Sequence, residues 1–593
     1  MLFFIFVKKP VLPKGLLTIL LLLISVFSSA QYYIRGDVKD ANNEPLQNVK
    51  IYRPSTRSIY NSGMTGGFGI LSSALYDSLI FTKEGYDTVR LRVKTDEYLR
   101  VVMATDKRKK DPTLQKMISF TTNGDEKLSS ISIYDGETYS SIIENNFVKT
   151  TNRAQTTFGL RIDKASYSNI RRFINQQMQV PPDAVRLDEM LNYFNFNYKE
   201  PDPGKTFCTE SQVTDCPWNQ AHRLLFLNIS ARRLDLSKVL PSNFVFLIDV
   251  SGSMDFPNRL PLIKQAFKLF VENLRPIDTV SIVTYGGTVG IWLTPTSGGN
   301  KDKILKSIEE LNASGDTPGE AAIRTAYQLA NNTFIKGGNN RIILATDGDF
   351  NIGQTSEKDL EELIEKEKKS GIYLTCLGVG MGNYKDSKIE ILAKKGNGNF
   401  AYIDDIHEAE KVMVLQFTQT MYAVARDVYV NVKFDSTAIR QYRLLGYDNR
   451  KSGFENFIGE PEGGEIGSGA GNTILFELEP KVTDSALQNS FVGSITIHYK
   501  NTRDTSELLK TYNCFYNYRP FDQVQKCLQF ATAVAMLGLK LRQSEYFPDV
   551  SWDTIKKIAS KSIESPNDYL KNQFLTLTEN CKKIYGSRRR KNR

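Results

Sequence analysis

Histidine is scarce, with three residues in 593, and the six cysteines contain no Cys-x-x-Cys pair, so ligand spacing gives a zinc cluster no support. The chain has no Gly-x-Ser-x-Gly turn, which removes the serine nucleophile that such a strand-to-helix elbow presents. Gly204-Lys205-Thr206 has the ending of a phosphate loop, but Lys199 stands where that loop needs its first glycine and prolines surround it. A P-loop is therefore excluded. His222 falls in a predicted strand and His407 leads into a predicted helix, so both suit structural roles rather than general-base roles. Metal-assisted hydrolysis would need an acid or base beside an activated water, and Asp316 is the one candidate.

The formal net charge of +10 is concentrated at the ends. Lys8, Lys9 and Lys14 lie in the leader and Arg588, Arg589, Arg590, Lys591 and Arg593 in the tail, with no acid in either segment. The body between them is close to neutral, and the tail reads as solvated chain rather than as a nucleic-acid patch.

The length exceeds what one core holds and predicts several domains. Residues 1–30 place lysines before the apolar run 16–27 and then Ser28-Ser29-Ala30, the pattern of a secretory signal. The run is short for a membrane span. Cleavage is expected after Ala30, with Gln31 as the mature start; the further apolar stretch 2–7 keeps an uncleaved anchor as the alternative. No cysteine follows the cut, so a lipoprotein anchor is not expected. Export to the periplasm, outer membrane or exterior permits disulfides. Cys208 with Cys216 is the expected pair, close in sequence with a flexible polar loop between them, while Cys376 in the apolar run 373–379 reads as a buried free thiol.

Residues 31–104 alternate apolar and polar positions between Gly and Pro clusters, which predicts a small β-sandwich. Gly36-Asp37-Val38, Pro45-Leu46, Val49 and Phe81 with Gly85-Tyr86 resemble carboxypeptidase regulatory-like domains, which implies a spacer or docking module. Residues 105–132 are charged and polar and are expected to form a linker. From 133 to 240, strand and helix patterns alternate. Ala165-Ser166-Tyr167-Ser168-Asn169, Arg171-Arg172-Phe173, Asn192-Tyr193-Phe194 and Pro217-Trp218-Asn219 resemble the N-terminal associated domain of a bacterial von Willebrand factor type A family. Gly159 and Lys164 depart from its pattern, which usually carries Ser and an acid there.

Across 241–425 the pattern is βα. The run 243–248 lacks polar alternation and suits a strand buried on both faces. Ile263, Phe267, Phe270 and Leu274 recur at helical steps. Strands are predicted at 279–285, 341–346 and 373–379, with helices near 301–311, 319–331 and 357–370 between them; the stretch 396–403 and a helix from about 408 close the domain. Such alternation predicts a doubly wound, mostly parallel sheet.

In 426–584, Val428, Val430, Val432 and Phe434, and later Ile495, Ile497 and Tyr499, alternate as one-sided antiparallel strands. The β part is expected over 426–518, with a loop at 463–471. The helical part is expected over 520–584, with helices at 523–542 and 553–584, before the basic tail 585–593. Gly463-Gly464-Glu465-Ile466-Gly467 and the segment 530–535 resemble the C-terminal associated domain of the same family. The class expected is multidomain α/β plus β: a doubly wound Rossmann-like domain flanked by β-rich associated domains, an N-terminal β-sandwich and C-terminal helices. The tight β flanks further predict one β-domain into which the α/β domain is inserted.

The run 243–248 ends in Asp249-Val250-Ser251-Gly252-Ser253. Open α/β sheets hold ligands at the carboxyl ends of their strands. One carboxylate and two hydroxyls at alternate positions offer hard oxygens of the kind Mg²⁺ or Mn²⁺ prefers. Thr317, before the helix at Gly319, and Asp347, at the end of another apolar run, lie in loops that such a sheet brings together. On the residues alone, Thr317 also suits a helix cap and Asp347-Gly348 an ordinary turn.

Together Asp249, Ser251, Ser253, Thr317 and Asp347 resemble the metal-ion-dependent adhesion site of von Willebrand factor type A domains. The resemblance implies ligation by the serines and Thr317, with the aspartates acting directly or through water. It implies Mg²⁺, Mn²⁺ or Ca²⁺ as the ion, and a protein or peptide ligand that supplies a carboxylate. The function expected is exported, metal-dependent protein binding at the bacterial cell envelope, without catalysis. The alternatives are an envelope scaffold whose metal only stabilises the fold and, behind it, a metal-dependent hydrolase.

Overall fold

The computed structural model describes residues 32–104, 131–348 and 362–586, apart from 42, 48, 57, 64, 73, 84, 96, 135, 316–318, 363, 368–369, 383, 449–462 and 503–505. The signal, nearly all of the linker, most of the basic tail and most of the helix expected at 357–370 lie outside the described residues. Among those described, no helix is long and apolar enough to cross a membrane. The chain divides into two units.

In the N-terminal unit, Tyr32–Asp40 pairs antiparallel with Gly67–Ser72 and parallel with Tyr98–Met103. A second sheet orders Ser58–Asn61, Lys50–Arg53, Tyr76–Thr82 and Val89–Lys94. Alternate residues such as Ile34, Val38, Ile51 and Phe81 are buried, as one-sided strands require.

The second unit is built around a six-stranded sheet. Its order is Thr288–Ser297, Thr279–Gly286, Ser242–Asp249, Asn339–Thr346, Ile372–Gly378, Asn397–Tyr402. Ser242–Asp249 is buried throughout and pairs in parallel with both neighbours. One face receives the helix Leu260–Glu272, where Phe267 stacks on Phe246 at 4.2 Å and Phe270 stands edge-on to Phe244 at 5.1 Å. On the opposite face the helix Gly319–Asn332 approaches, with the Asn243 amide donating to Ala330 O at 3.2 Å. The edge strand Thr288–Ser297 was not expected; its polar threonines and Pro295 suit a strand paired on one side.

Strands from before and after this sheet do not form separate bodies. One sheet orders Val148–Lys149, Ile439–Leu445, Gly471–Pro480, Arg223–Ala231, Phe207–Asp215 and Tyr518–Arg519; the other orders Gln155–Gly159, Ala423–Phe434, Phe491–Asn501 and Glu507–Phe515. Arg223–Ala231 and Ala423–Phe434 thus lie in different sheets, yet Leu225, Leu227 and Ile229 share one core with Val428, Val430 and Val432. The sandwich is interrupted by the α/β domain. The helices likewise mix, since Phe173, Met190 and Phe194 pack with Phe530, Val534 and Phe574.

Three expectations need correction. The stretch 463–471 is not all loop, because Gly464–Gly467 pairs with Ala423–Phe434. A Cβ at Gly467 would stand 1.7 Å from Gln419 O, so its glycine permits a backbone approach that composition alone read as a turn. The C-terminal helix is two, Trp552–Lys561 and Tyr569–Gly586. Pro566 falls between them, where a helix interior would lose a hydrogen bond and clash. Cys208 and Cys216 are both free. Cys208 lies in the strand Phe207–Asp215 and Cys216 just past its end. Eight residues of extended chain span roughly 26 Å, far beyond the Cα separation of about 7 Å that a disulfide tolerates. Cys376 is buried and free in Ile372–Gly378.

Candidate metal centre

Asp249 ends the central strand, fully buried. Its Oδ1 accepts the Ser251 backbone N–H at 2.9 Å and its Oδ2 the Thr346 hydroxyl at 3.0 Å. The following turn is held by neighbouring loops: Val250 N–H donates to Tyr285 O at 2.8 Å, Gly252 N–H to Gly315 O at 2.9 Å, and Ser314 N–H to Val250 O at 2.6 Å. Gly315 has φ 77°, and a Cβ on it would stand 2.2 Å from Gly287 Cα, so a glycine is required where these loops cross.

The turn brings three polar side chains into one chain of contacts. Ser251 Oγ and Ser253 Oγ are 3.1 Å apart, and the Ser253 hydroxyl donates to Asp347 Oδ2 at 2.9 Å. Ligands about 2.1 Å from an octahedral Mg²⁺ stand about 3.0 Å from their neighbours, so these oxygen spacings fit two edges of such a shell. Among the described residues, no group of three or more His, Cys, Asp and Glu side chains gathers to hold a metal. A cation here would therefore rely on hydroxyl oxygens beside carboxylates, which suits a hard ion. Burial, and then the nearby Asp347 carboxylate, push the Asp249 carboxyl up to about 7. Two carboxylates in a dry cleft favour a cation or a proton.

Part of that demand is met from within. Arg259 Nη1 lies 2.7 Å from Asp347 Oδ2 and also donates to Ser253 O at 2.5 Å, while Nη2 donates to Met381 O at 2.8 Å. Gly380, at φ 84°, leaves room for it: a Cβ there would meet Arg259 Nε at 2.6 Å. The loop carrying Met381 is anchored in turn, because Gly382 N–H donates to Glu137 Oε1 at 2.8 Å and Glu137 pairs with buried Arg172 at 2.7 Å. Beside Arg259, Phe256 and Met381 are 55% and 43% exposed. The guanidinium lies over the Phe256 ring at 5.1 Å.

Asp249, Ser251, Ser253 and Asp347 are thus brought together, whereas Thr317 and Asp316 lie outside the described residues. Arg259 was missed, for a lone arginine after Pro257-Asn258 carries no signal that it turns inward. His222 contacts Glu477 Oε1 at 2.6 Å and His407 packs on the Tyr569 ring at 5.8 Å, both remote from this turn in sequence and in partners.

Residues 243–414 match a family model described as von Willebrand factor type A domain. Residues 133–226 match one described as von Willebrand factor, and 419–584 one described as uncharacterized protein YfbK, C-terminal. YfbK of Escherichia coli (strain K12) is 35% identical over 498 residues, covering 80% of this chain and 86% of that protein. Human inter-alpha-trypsin inhibitor heavy chain H4 is 29% identical over 222 residues, 35% of this chain; the chain spans 23% of its length. Among solved structures, von Willebrand factor type A from Catenulispora acidiphila aligns over 62% of this chain and 91% of that one, with 17% identity and a TM-score of 0.37.

Proposed function

The chain belongs to the von Willebrand factor type A domain family that includes Escherichia coli YfbK, and on that premise we propose that it binds a protein ligand at the cell envelope through a divalent cation. Proteins with this domain typically mediate protein interactions. The observation that carries the metal-dependent reading is the run of oxygens from Ser251 through Ser253 to Asp347, spaced 3.1 and 2.9 Å at the carboxyl end of the sheet. Ser251, Ser253 and Asp347 would hold the ion, with Asp249 behind them and Thr317 from the adjoining loop. A bound Mg²⁺ or Mn²⁺ would supply a positive centre for a ligand carboxylate. Exposed Phe256 and Met381 would give the rim the apolar contact on which protein interfaces depend.

Calorimetry with Mg²⁺ tests the first half: wild type that binds no better than Asp249→Ala removes the reading. A cross-linking pull-down from native envelopes, with and without chelator, tests the second, and the expected result is a partner recovered only when the cation is present. A scaffold role, with metal serving stability alone, is the second reading, and Arg259 favours it because the guanidinium already neutralises Asp347. In that case Asp249→Ala lowers the melting temperature in Mg²⁺ and leaves the pull-down unchanged. The regulatory-like reading of residues 31–104 would make that unit a spacer or docking module, and the leader would export the whole.

A further inference from the structure

A cavity of about 490 Å³ lies between the start of the helix Ala165–Asn175, the stretch 192–200, the end of the strand Arg223–Ala231 and the segment 411–419. Small-molecule sites typically measure about 300–1,000 Å³. Its lining carries the cations Lys164, Lys199, Arg233 and Lys411 against one carboxylate, Glu200. Glu200 already pairs with Arg233 at the mouth, at 2.6 Å.

Deeper in, the charge is unbalanced. Lys411 is 4% exposed; its ammonium lies over the Tyr193 ring at 2.7 Å but, among the described residues, makes no hydrogen bond. Its ion pair to Glu408 Oε1 is long, at 3.7 Å, while Glu408 Oε2 accepts from Arg171 at 2.8 Å and from the Tyr193 hydroxyl at 2.6 Å. Arg171 also pairs with Asp404, so three cations, Arg171, Lys164 and Lys411, surround the carboxylates of Glu408 and Asp404. Lys164 directs its Nζ to neutral amides, Gln416 Oε1 at 2.9 Å and Gln419 Oε1 at 3.2 Å. Burial lowers the Lys164 amine to about 8, with Glu408 opposing. Burial also holds Lys411 well below the ordinary amine range, Glu408 opposing and Lys164 adding to it.

The backbone here is unusual too. Lys411–Leu415 is a π-helical turn, closed by Gln416 N–H donating to Lys411 O at 2.8 Å. Such wide turns are rare and recur at functional sites, because the extra residue re-aims side chains. Lys411 opens the turn and lines the cavity; Gln416 follows it and holds Lys164.

We infer that this cavity is a second ligand site, for a small polar organic anion whose carboxylate or phosphate is held between Lys411 and Lys164. An anion there supplies the hydrogen-bond acceptor that Lys411 lacks and favours the ammonium form that burial opposes, and charge-assisted hydrogen bonds are the stronger kind. The uncharged amides Gln416 and Gln419 would orient the rest of the molecule.

The test is calorimetry of the full chain with inorganic phosphate and, separately, with succinate as probes. Saturable binding of at least one is expected, weakened about tenfold or more by Lys411→Met and by Lys164→Gln. Preference for phosphate assigns a phosphoryl ligand, and preference for succinate a carboxylate one. Binding should persist in chelator, which separates this site from the metal centre. Lys411→Met leaves Glu408 with Arg171 and Tyr193 and so retains the fold, as circular dichroism should verify; Lys164→Gln is the milder, part-exposed change. Binding of neither probe, binding unaltered in either variant, or binding abolished by chelator overturns the site.

Discussion

Arg259 and Asp347 form an ion pair, Nη1 to Oδ2 at 2.7 Å, on the same oxygen that accepts the Ser253 hydroxyl. The guanidinium thus occupies the side of Asp347 that a metal shared with Ser253 would use. A cation entering there must displace one charge from another's contact, and the two compete.

Removal of the competitor should therefore strengthen metal binding. Arg259→Ala is expected to raise Mg²⁺ affinity on the order of tenfold in calorimetry, about 1.4 kcal/mol. In chelator the same variant should melt lower than wild type, because the buried Asp347 carboxylate loses the counter-charge of Arg259. Unchanged Mg²⁺ affinity would mean that Arg259 does not contend for the site.

The metal-free protein should also report the Asp249 carboxyl. Its folded value is raised from 3.8 to about 7 by burial and by Asp347. Between these values the folded state holds a proton that the unfolded state releases, so stability is fully present below about 3.8 and is lost as pH rises through 7. In chelator, Asp249→Asn should melt above wild type near pH 8, by on the order of a few kcal/mol in stability, and the gain should vanish toward pH 4. Saturating Mg²⁺ should reverse the ranking at pH 8. A pH-independent difference would refute the assignment.

The α/β domain was legible because its signals are local. Ser242–Asp249 is an unbroken apolar run, and Ile263, Phe267 and Phe270 keep helical spacing, so each element announces both its type and its buried face. The interleaved sandwich was legible only as alternation on either side of the insertion. Which sheet receives Arg223–Ala231 and which receives Ala423–Phe434 is fixed by pairing partners hundreds of residues apart, and no short pattern encodes that. Lysine and arginine mislead most, because they are charged and usually exposed. Lys164 stood out only as a departure from a family pattern, and nothing near Lys411 or Arg259 signals that either is buried.

Arg341 and Glu465 join the central sheet to the strand Gly464–Gly467, with side chains 0% and 2% exposed and Nη2 to Oε1 at 2.6 Å. Glu465→Ala leaves the guanidinium buried without a counter-charge, beside the Thr375 hydroxyl at 2.7 Å and the Tyr373 ring at 5.9 Å. Loss of one partner of such a pair costs about 3–5 kcal/mol, whereas the double replacement Arg341→Leu with Glu465→Leu should cost much less. Denaturant midpoints of the three proteins measure this directly. Equal losses in the single and the double variant would show that packing, not the buried charge, holds the sheet to the sandwich.

All six thiols are free, and only Cys208 is not buried. A thiol reacts as its thiolate, and burial both shields a sulfur and raises its pKa. Burial pushes Cys514 up to about 11 and raises Cys216, Cys376, Cys527 and Cys581 as well. Burial also raises Cys208, followed by the Glu210 carboxylate, but that thiol alone is open to reagent. Alkylation of the folded protein without reductant should therefore label Cys208 first and at one site, and denaturation should expose the other five. Mass spectrometry distinguishes this from the pairing of Cys208 with Cys216, which would block both thiols until reduction. Since those residues sit at opposite ends of the strand Phe207–Asp215, a linkage between them would require that strand to leave its register with Arg223–Ala231, and the sandwich with it.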